Sequence, residues 1–260
     1  ISEGTRYRIR DIIIEGNSVF SDEELLAAMV LKRGDYFQNI RLRTDIENLR
    51  TKYGSFGYIE AQITSGRTFT TEPEQVDVRI TVSEGSQFEV GWIEVNGNFR
   101  TQEKVVRREL RFYPEEVYDI TKTRAAEKRL RDTGLFTEAR IEPTGTAPNV
   151  RDALVTVVEN PKTTQFIAGV GANSDSGIVG NIVLENTNFD LFDRPRSWEE
   201  FFKGRALRGA GQTMRIQLEP GTEYQRFRVD FREPWLMDKP IGFNTSVFLF
   251  ERERDGYDEQ

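Results

Sequence analysis

A chain of 260 residues, 37% hydrophobic and 30% charged, with neither cysteine nor histidine, has no disulfides, no thiol or Ser-His nucleophile and few of the usual zinc ligands. Its net charge of −7 is shared by both halves, so no basic face marks a nucleic-acid partner. No apolar run approaches the roughly 18 residues of a spanning helix. The length allows two or three domains. The lack of cysteine fits an exported protein. No signal peptide opens the chain and Ile1 stands inside a domain, so a piece of a longer precursor is expected.

The first half reads as a repeat. Tyr7 to Glu15, YRIRDIIIE, is a strand ending in Gly16-Asn17; Val90 to Asn96, VGWIEVN, ends in Gly97-Asn98. A helix start follows each. Ser21 with Glu24 makes a capping box, whose side chains satisfy amides left open in the first helical turn. Thr101 holds the matching cap position without the acidic partner. In the second helix of copy one, Leu42, Ile46, Leu49 and Tyr53 share a face. Ala126 and Leu130 take that role in copy two, between Arg124, Lys128, Arg129 and Arg131. Both helices stop near a glycine, at Gly57-Tyr58 and Gly134-Leu135-Phe136, which suits a left-handed helix end. Strands over 58–64 and 76–82 close copy one, and strands over 137–142 and 153–159 close copy two. The unit is β-α-α-β-β, with a period of about 80 residues.

Pro161 marks a change of period. Thr164–Ala172, TQFIAGVGA, reads as the first strand of a new sheet. Residues 213–220 alternate, with Met214, Ile216 and Leu218 opposing Arg215, Gln217 and Glu219. Residues 223–232 alternate too, with Phe227, Val229 and Phe231 opposing Arg226, Arg228, Asp230 and Arg232. Pro220-Gly221 between them is a turn signal. Trp235 and Phe243 fit an aromatic girdle, and strands of about ten residues suit a membrane barrel with a water-filled lumen. A soluble sandwich alternates in the same way. In the long connection before Gly211, Pro195 and a second capping box, Ser197 with Glu200, predict a helix from Trp198 to about Leu207.

The repeat resembles POTRA domains: G-N after the first strand, G-Y or G-L-F after the second helix, and the closing Val78-Arg79-Ile80-Thr81-Val82-Ser83-Glu84-Gly85. The junction from Glu159-Asn160-Pro161 into Phe166–Gly171, the Asp175-Ser176-Gly177 turn, Glu185–Phe189, and Glu233-Pro234-Trp235-Leu236 with Asp238 and Gly242 resemble the start of a BamA-type barrel. The resemblance implies α+β POTRA repeats over 1–86 and 87–160, followed over 161–260 by antiparallel transmembrane strands of an incomplete barrel with a helical insertion near 197–208. It implies an outer-membrane protein with periplasmic POTRA units that folds client β-barrels. Its partners would be unfolded outer-membrane protein clients, outer-membrane lipid and accessory periplasmic lipoproteins at the POTRA units. A two-partner secretion transporter and a soluble β-rich scaffold are the alternatives. Two features depart from the family: only about five strands are present, and Phe189 to Gly211 is long for a periplasmic turn.

No catalytic, metal or cofactor constellation is found. There is no G-x-S-x-G nucleophile elbow. Gly169-Val170-Gly171-Ala172-Asn173-Ser174 lacks the third glycine of a dinucleotide loop, and Asp255-Gly256-Tyr257-Asp258 does not have EF-hand spacing. The expected sites are therefore surfaces. Thr164, Phe166, Ala168, Gly169, Val170 and Gly171 form a gate strand for clients. Met214, Ile216, Leu218, Phe227, Val229, Phe231 and Trp235 face the membrane. Trp198, Phe201 and Phe202 belong to an interfacial helix.

Overall fold

The computed structural model describes residues 6–71, 73–173, 177–202, 206–222 and 224–252, without the side chains of Asn173, Gly177, Phe201, Phe202 and Arg252. Asp175-Ser176 of the expected turn and Asp255–Asp258 lie outside them. Two compact units are distinguished: Ile1–Glu94 with Phe112–Ala125 and Ile141–Leu154, and Val95–Arg111 with Ala126–Arg140 and Val155–Gln260.

The first repeat is β1 (Arg8–Glu15), α1 (Asp22–Ala28), α2 (Asn39–Ser55), β2 (Gln62–Phe69) and β3 (Gln75–Ser83). Its sheet has the order β1-β3-β2, with β1 parallel and β2 antiparallel to β3. A register shift between Ile9 and Asp11 brings Ile9, Ile12 and Ile14 into the core with Val76, Val78, Ile80 and Val82. Leu42, Leu49 and Tyr53 of α2 are buried against them and Ile46 is partly buried, as helical spacing requires. The capping box at Ser21 and Glu24 is complete. The strand expected from Tyr58 begins at Gln62 instead. Gly57 has φ +88°, and the amides of Tyr58 and Ala61 bond to Tyr53 and Tyr58 carbonyls, so 58–61 is a turn.

The G-N motif and the closing glutamate form one device. Gly16 has φ +87°, and a Cβ there would lie 2.2 Å from the Val82 carbonyl oxygen, so only glycine fits. Asn17 donates to the Phe20 carbonyl. Glu84 accepts from the amides of Ser18 and Val19, the Ser18 hydroxyl and the Tyr53 hydroxyl. Burial pushes the Glu84 carboxyl up, but these four bonds outweigh it and hold the group below its usual range. Burial, and then the Glu84 carboxylate, push the Tyr53 hydroxyl up.

The second repeat is β4 (Glu89–Asn96), α3 (Glu103–Leu110), α4 (Ile120–Asp132), β5 (Phe136–Thr144) and β6 (Val150–Glu159), with the sheet order β4-β6-β5. Gly97 has φ +94° and its Cβ would lie 2.0 Å from the Val157 oxygen. Glu159 accepts from the amides of Arg100 and Thr101. The helix cap is Gln102, not Thr101. Thr101 is buried and its hydroxyl is otherwise engaged, as described below.

Beyond Pro161 the chain is an antiparallel meander: β7 (Thr164–Asn173), β8 (Gly177–Phe189), β9 (Gln212–Glu219), β10 (Tyr224–Glu233) and β11 (Phe243–Arg252). The sheet is open, as an incomplete barrel should be. α5 (Trp198–Phe202) has five residues and does not reach Leu207. Leu207 has φ +57° and its amide bonds to Asp193, which is not helical geometry. Half of the second capping box forms. The Ser197 hydroxyl accepts the Glu200 amide, but the Glu200 carboxylate accepts from Arg196 rather than Ser197.

Candidate functional site

Residues opposite one another in an antiparallel pair point to the same side of a sheet, so the register fixes its two faces. Phe227, Val229 and Phe231 oppose Leu218, Ile216 and Met214. Leu218 and Ile216 oppose Ile182 and Leu184, which oppose Ala168 and Phe166. On the other edge Phe227 and Val229 oppose Leu249 and Val247. The alternating residues read from sequence thus merge into one apolar face crossing all five strands. The opposite face carries Arg226–Glu219 at 2.8 Å, Arg228–Asp230 at 2.8 Å and Arg215–Glu185 at 3.8 Å.

Among the described residues β7 pairs only with β8, and it forms an edge of the sheet. Thr164, Phe166, Ala168 and Val170 lie on the apolar side; Phe166 is 68% exposed and Val170 82%. Gly169 and Gly171 lie on the polar side, and a Cβ on either would meet no atom within 4 Å. The free side of β7 is a row of main-chain donors and acceptors with alternating apolar side chains, which is the chemistry of strand addition. Trp198 is 79% exposed; the side chains of Phe201 and Phe202 lie outside the described residues.

Trp235 departs from the other expected membrane-facing residues. Its indole N–H donates to Glu109 Oε1 at 3.1 Å, and the Arg108 guanidinium sits 5.6 Å from its ring centre. It belongs to a polar cluster that sequence reasoning missed. Asn188 Nδ2 donates to the Thr101 hydroxyl at 3.0 Å, while the Asn188 side-chain oxygen and carbonyl accept the Gly211 and Gly209 amides. The Gln102 amide donates to the Gly209 carbonyl, and its side chain donates to Asp190. Gln212 donates to Glu233, whose other oxygen accepts the Trp235 amide. Thr101, Glu109, Asn188, Asp190 and Gln212 are all buried, so each bond is worth more than a surface one and its loss would strand a polar group. Burial pushes the Arg108 guanidinium down, opposed by Glu109, Glu233 and Asp238. The available signal was the break in the repeat: copy one has Phe20 where copy two has Thr101.

The family model for POTRA, surface antigen variable number repeat, matches residues 7–85 and 88–160. An outer membrane protein assembly factor BamA of Nitratidesulfovibrio vulgaris is 28% identical, over 99% of this chain and 31% of its own length. Crystalline BamA of Haemophilus ducreyi lacking POTRA domains 1–3 superimposes with a TM-score of 0.79 at 21% identity, over 96% of this chain and 44% of that one, which speaks for the fold. POTRA domains 3–5 of BamA from Haemophilus influenzae match with a TM-score of 0.53 at 26% identity, over 59% of this chain and 61% of that one. The chain thus spans about a third of the curated relative's length.

Proposed function

This chain belongs to the POTRA family, and from that premise we propose that it is part of an outer-membrane protein assembly factor that takes in client β-strands along the free edge of β7. The repeats, divided at 1–86 and 87–160, stand in the periplasm; residues 161–260 begin the barrel. One observation carries the reading: the register joins β7–β11 into a sheet with one continuous apolar face and one charged face, and β7 opens it directly after the second repeat.

The physics favours such an edge inside a membrane. A main-chain hydrogen bond contributes only about 0.5–1.5 kcal/mol in water. In lipid an unpaired amide costs several kcal/mol, so an incoming strand gains far more by pairing there. Phe166, Ala168 and Val170 present the apolar side of the pairing, while Gly169 and Gly171 leave the polar side without side chains and weaken the strand. Met214, Ile216, Leu218, Phe227, Val229 and Phe231 face lipid. The α5 segment with Trp198, Phe201 and Phe202 lies at the interface, and periplasmic lipoproteins bind at the POTRA units.

Disulfide crosslinking tests the edge. Cysteine at Phe166 or Ala168 of the full-length protein should trap an arrested client strand. Crosslinks confined to β9 and β10 would reject β7 as the entry point. The domain division is tested separately: residues 1–160 alone should give an α+β circular dichroism spectrum and a cooperative melt.

A further inference from the structure

The two G-N loops have the same backbone plan and different side chains. Two residues after the glycine, the first loop has Ser18, whose hydroxyl is bound to Glu84. The second has Phe99, which is 94% exposed. Four residues after the glycine, the first loop has Phe20, buried with its ring 4.9 Å from Tyr53. The second has Thr101, held by Asn188. The second loop has exchanged an inward aromatic for an outward one. Phe99 shares a cleft of about 510 Å³ with Phe192, itself 80% exposed, and with Arg100 and Arg208.

We propose that Phe99 and Phe192 are an interfacial anchor, entering the headgroup layer of the periplasmic leaflet with Arg100 and Arg208 at the level of the lipid phosphates. The inference rests on the reading of the apolar sheet face as lipid-facing, and it adds a residue of the second repeat to the membrane contact. The sheet supplies the depth. The 13 residues of β8, at about 3.3 Å each and tilted near 45°, cross a hydrocarbon core of roughly 30 Å. Phe189 ends β8 opposite Gln212, two residues before Met214, so it lies at the lower margin of the apolar face; its ring is 6.5 Å from Phe231. Phe192 follows three residues later and can be no more than about 10 Å away along the chain. The headgroup layer adds roughly 5–8 Å on each side of the core. That layer is therefore within reach of Phe192, and Phe99 shares its cleft.

The chemistry agrees with the depth. Singly exposed apolar residues are ordinary, but two aromatics on one cleft, bordering an apolar face and flanked by guanidiniums, make an amphipathic edge. An arginine stem can lie along the apolar layer while its charged end reaches phosphate. Two carboxylates share the cleft: Asp190 is bound by the Gln102 side chain, and Asp193 accepts the Arg208 amide.

Nitroxide depth measurement tests this in the full-length protein, reconstituted in phosphatidylcholine vesicles with a minor share of phosphatidylglycerol. Single cysteines replace Phe99 or Phe192, with Val229 as the lipid reference and Glu23, on the exposed side of α1, as the aqueous one. Labels at 99 and 192 should be severalfold less accessible to a water-soluble nickel chelate than the label at 23, yet open to oxygen, and shallower than the label at 229. Nickel accessibility at 99 equal to that at 23, with 229 rich in oxygen, overturns the anchor and leaves the sheet reading standing. Exclusion of both reagents at 99 also overturns it, because protein rather than lipid would then cover the site. A nickel-accessible label at 229 fails the sheet reading itself, and the anchor with it.

Discussion

The two repeats share a backbone and differ in where their G-N loops send their hydrogen bonds. In the first, Glu84 gathers four donors, the tyrosine of α2 among them, and Phe20 fills the core; the loop is self-contained. In the second, Glu159 gathers two, and the rest of the loop turns to the end of β8 through Thr101–Asn188 and to the β8–β9 connection through Gln102–Asp190. The G-N loop thus goes from self-contained to joined by a change of side chains at two positions while the glycine, the asparagine and the glutamate stay. The glycine holds the turn, the glutamate satisfies its amides, and the positions between are free to specialise.

The sharpest way to break the comparison is at the shared glycines. Gly16→Ala and Gly97→Ala each force a side chain into left-handed backbone and against a carbonyl oxygen. Each should cost about 2–4 kcal/mol, read from urea unfolding of residues 1–160. Equal losses would show that both turns carry the same strain; a small loss at either would mean its loop can move off the facing strand.

Next comes the glutamate. Glu84→Ala strands the buried Tyr53 hydroxyl and two amides, and should cost about 2–3 kcal/mol. Glu159→Ala, with two amide donors, should cost about 1–2 kcal/mol in the same titration. A reversed order would contradict the self-contained first loop. Glu84 also predicts a pH dependence. Its folded-state carboxyl is held below the unfolded value, so its stabilisation is full above about pH 4.3 and is lost as the pH falls through the folded value. The gap in urea midpoint between wild type and Glu84→Gln should therefore be widest at pH 7 and close in acid; a gap that widens in acid would refute the assignment.

The smallest effect lies in the joined loop. A double-mutant cycle of Thr101→Val and Asn188→Leu in the full-length protein should show a coupling of about 1 kcal/mol. No coupling would mean that the contact is passive.

Much of this fold is legible in the sequence because periodicity and turn chemistry act locally. The β-α-α-β-β order, the complete Ser21 cap, the α2 face and the start of β7 all follow from residues within a few positions of one another. What was not legible depends on partners distant in sequence. Thr101 looks like a helix cap by type and spacing, yet its hydroxyl answers to Asn188, 87 positions away. Trp235 looks like a girdle tryptophan, yet its N–H is taken by Glu109, 126 positions earlier. The helix expected from the Ser197 cap to Leu207 takes in Gly204, a poor helix former, and the Leu207 amide is claimed by the Asp193 carbonyl. The faces of the β7–β11 sheet sit between these cases: alternation marks each strand, but only the register shows that Phe166 and Leu249 share a surface.

The parallel pairing of β1 with β3 has a mechanical meaning. Arg8 lies beside Gln75 and Glu15 beside Thr81, so the chain enters the first repeat at one end of its sheet and leaves from the other. Eight residues of strand advance it about 26 Å. An antiparallel closing strand would have returned the chain to its starting level and added bulk without reach. A repeat built this way acts as a spacer: it carries the chain forward by the length of its strands.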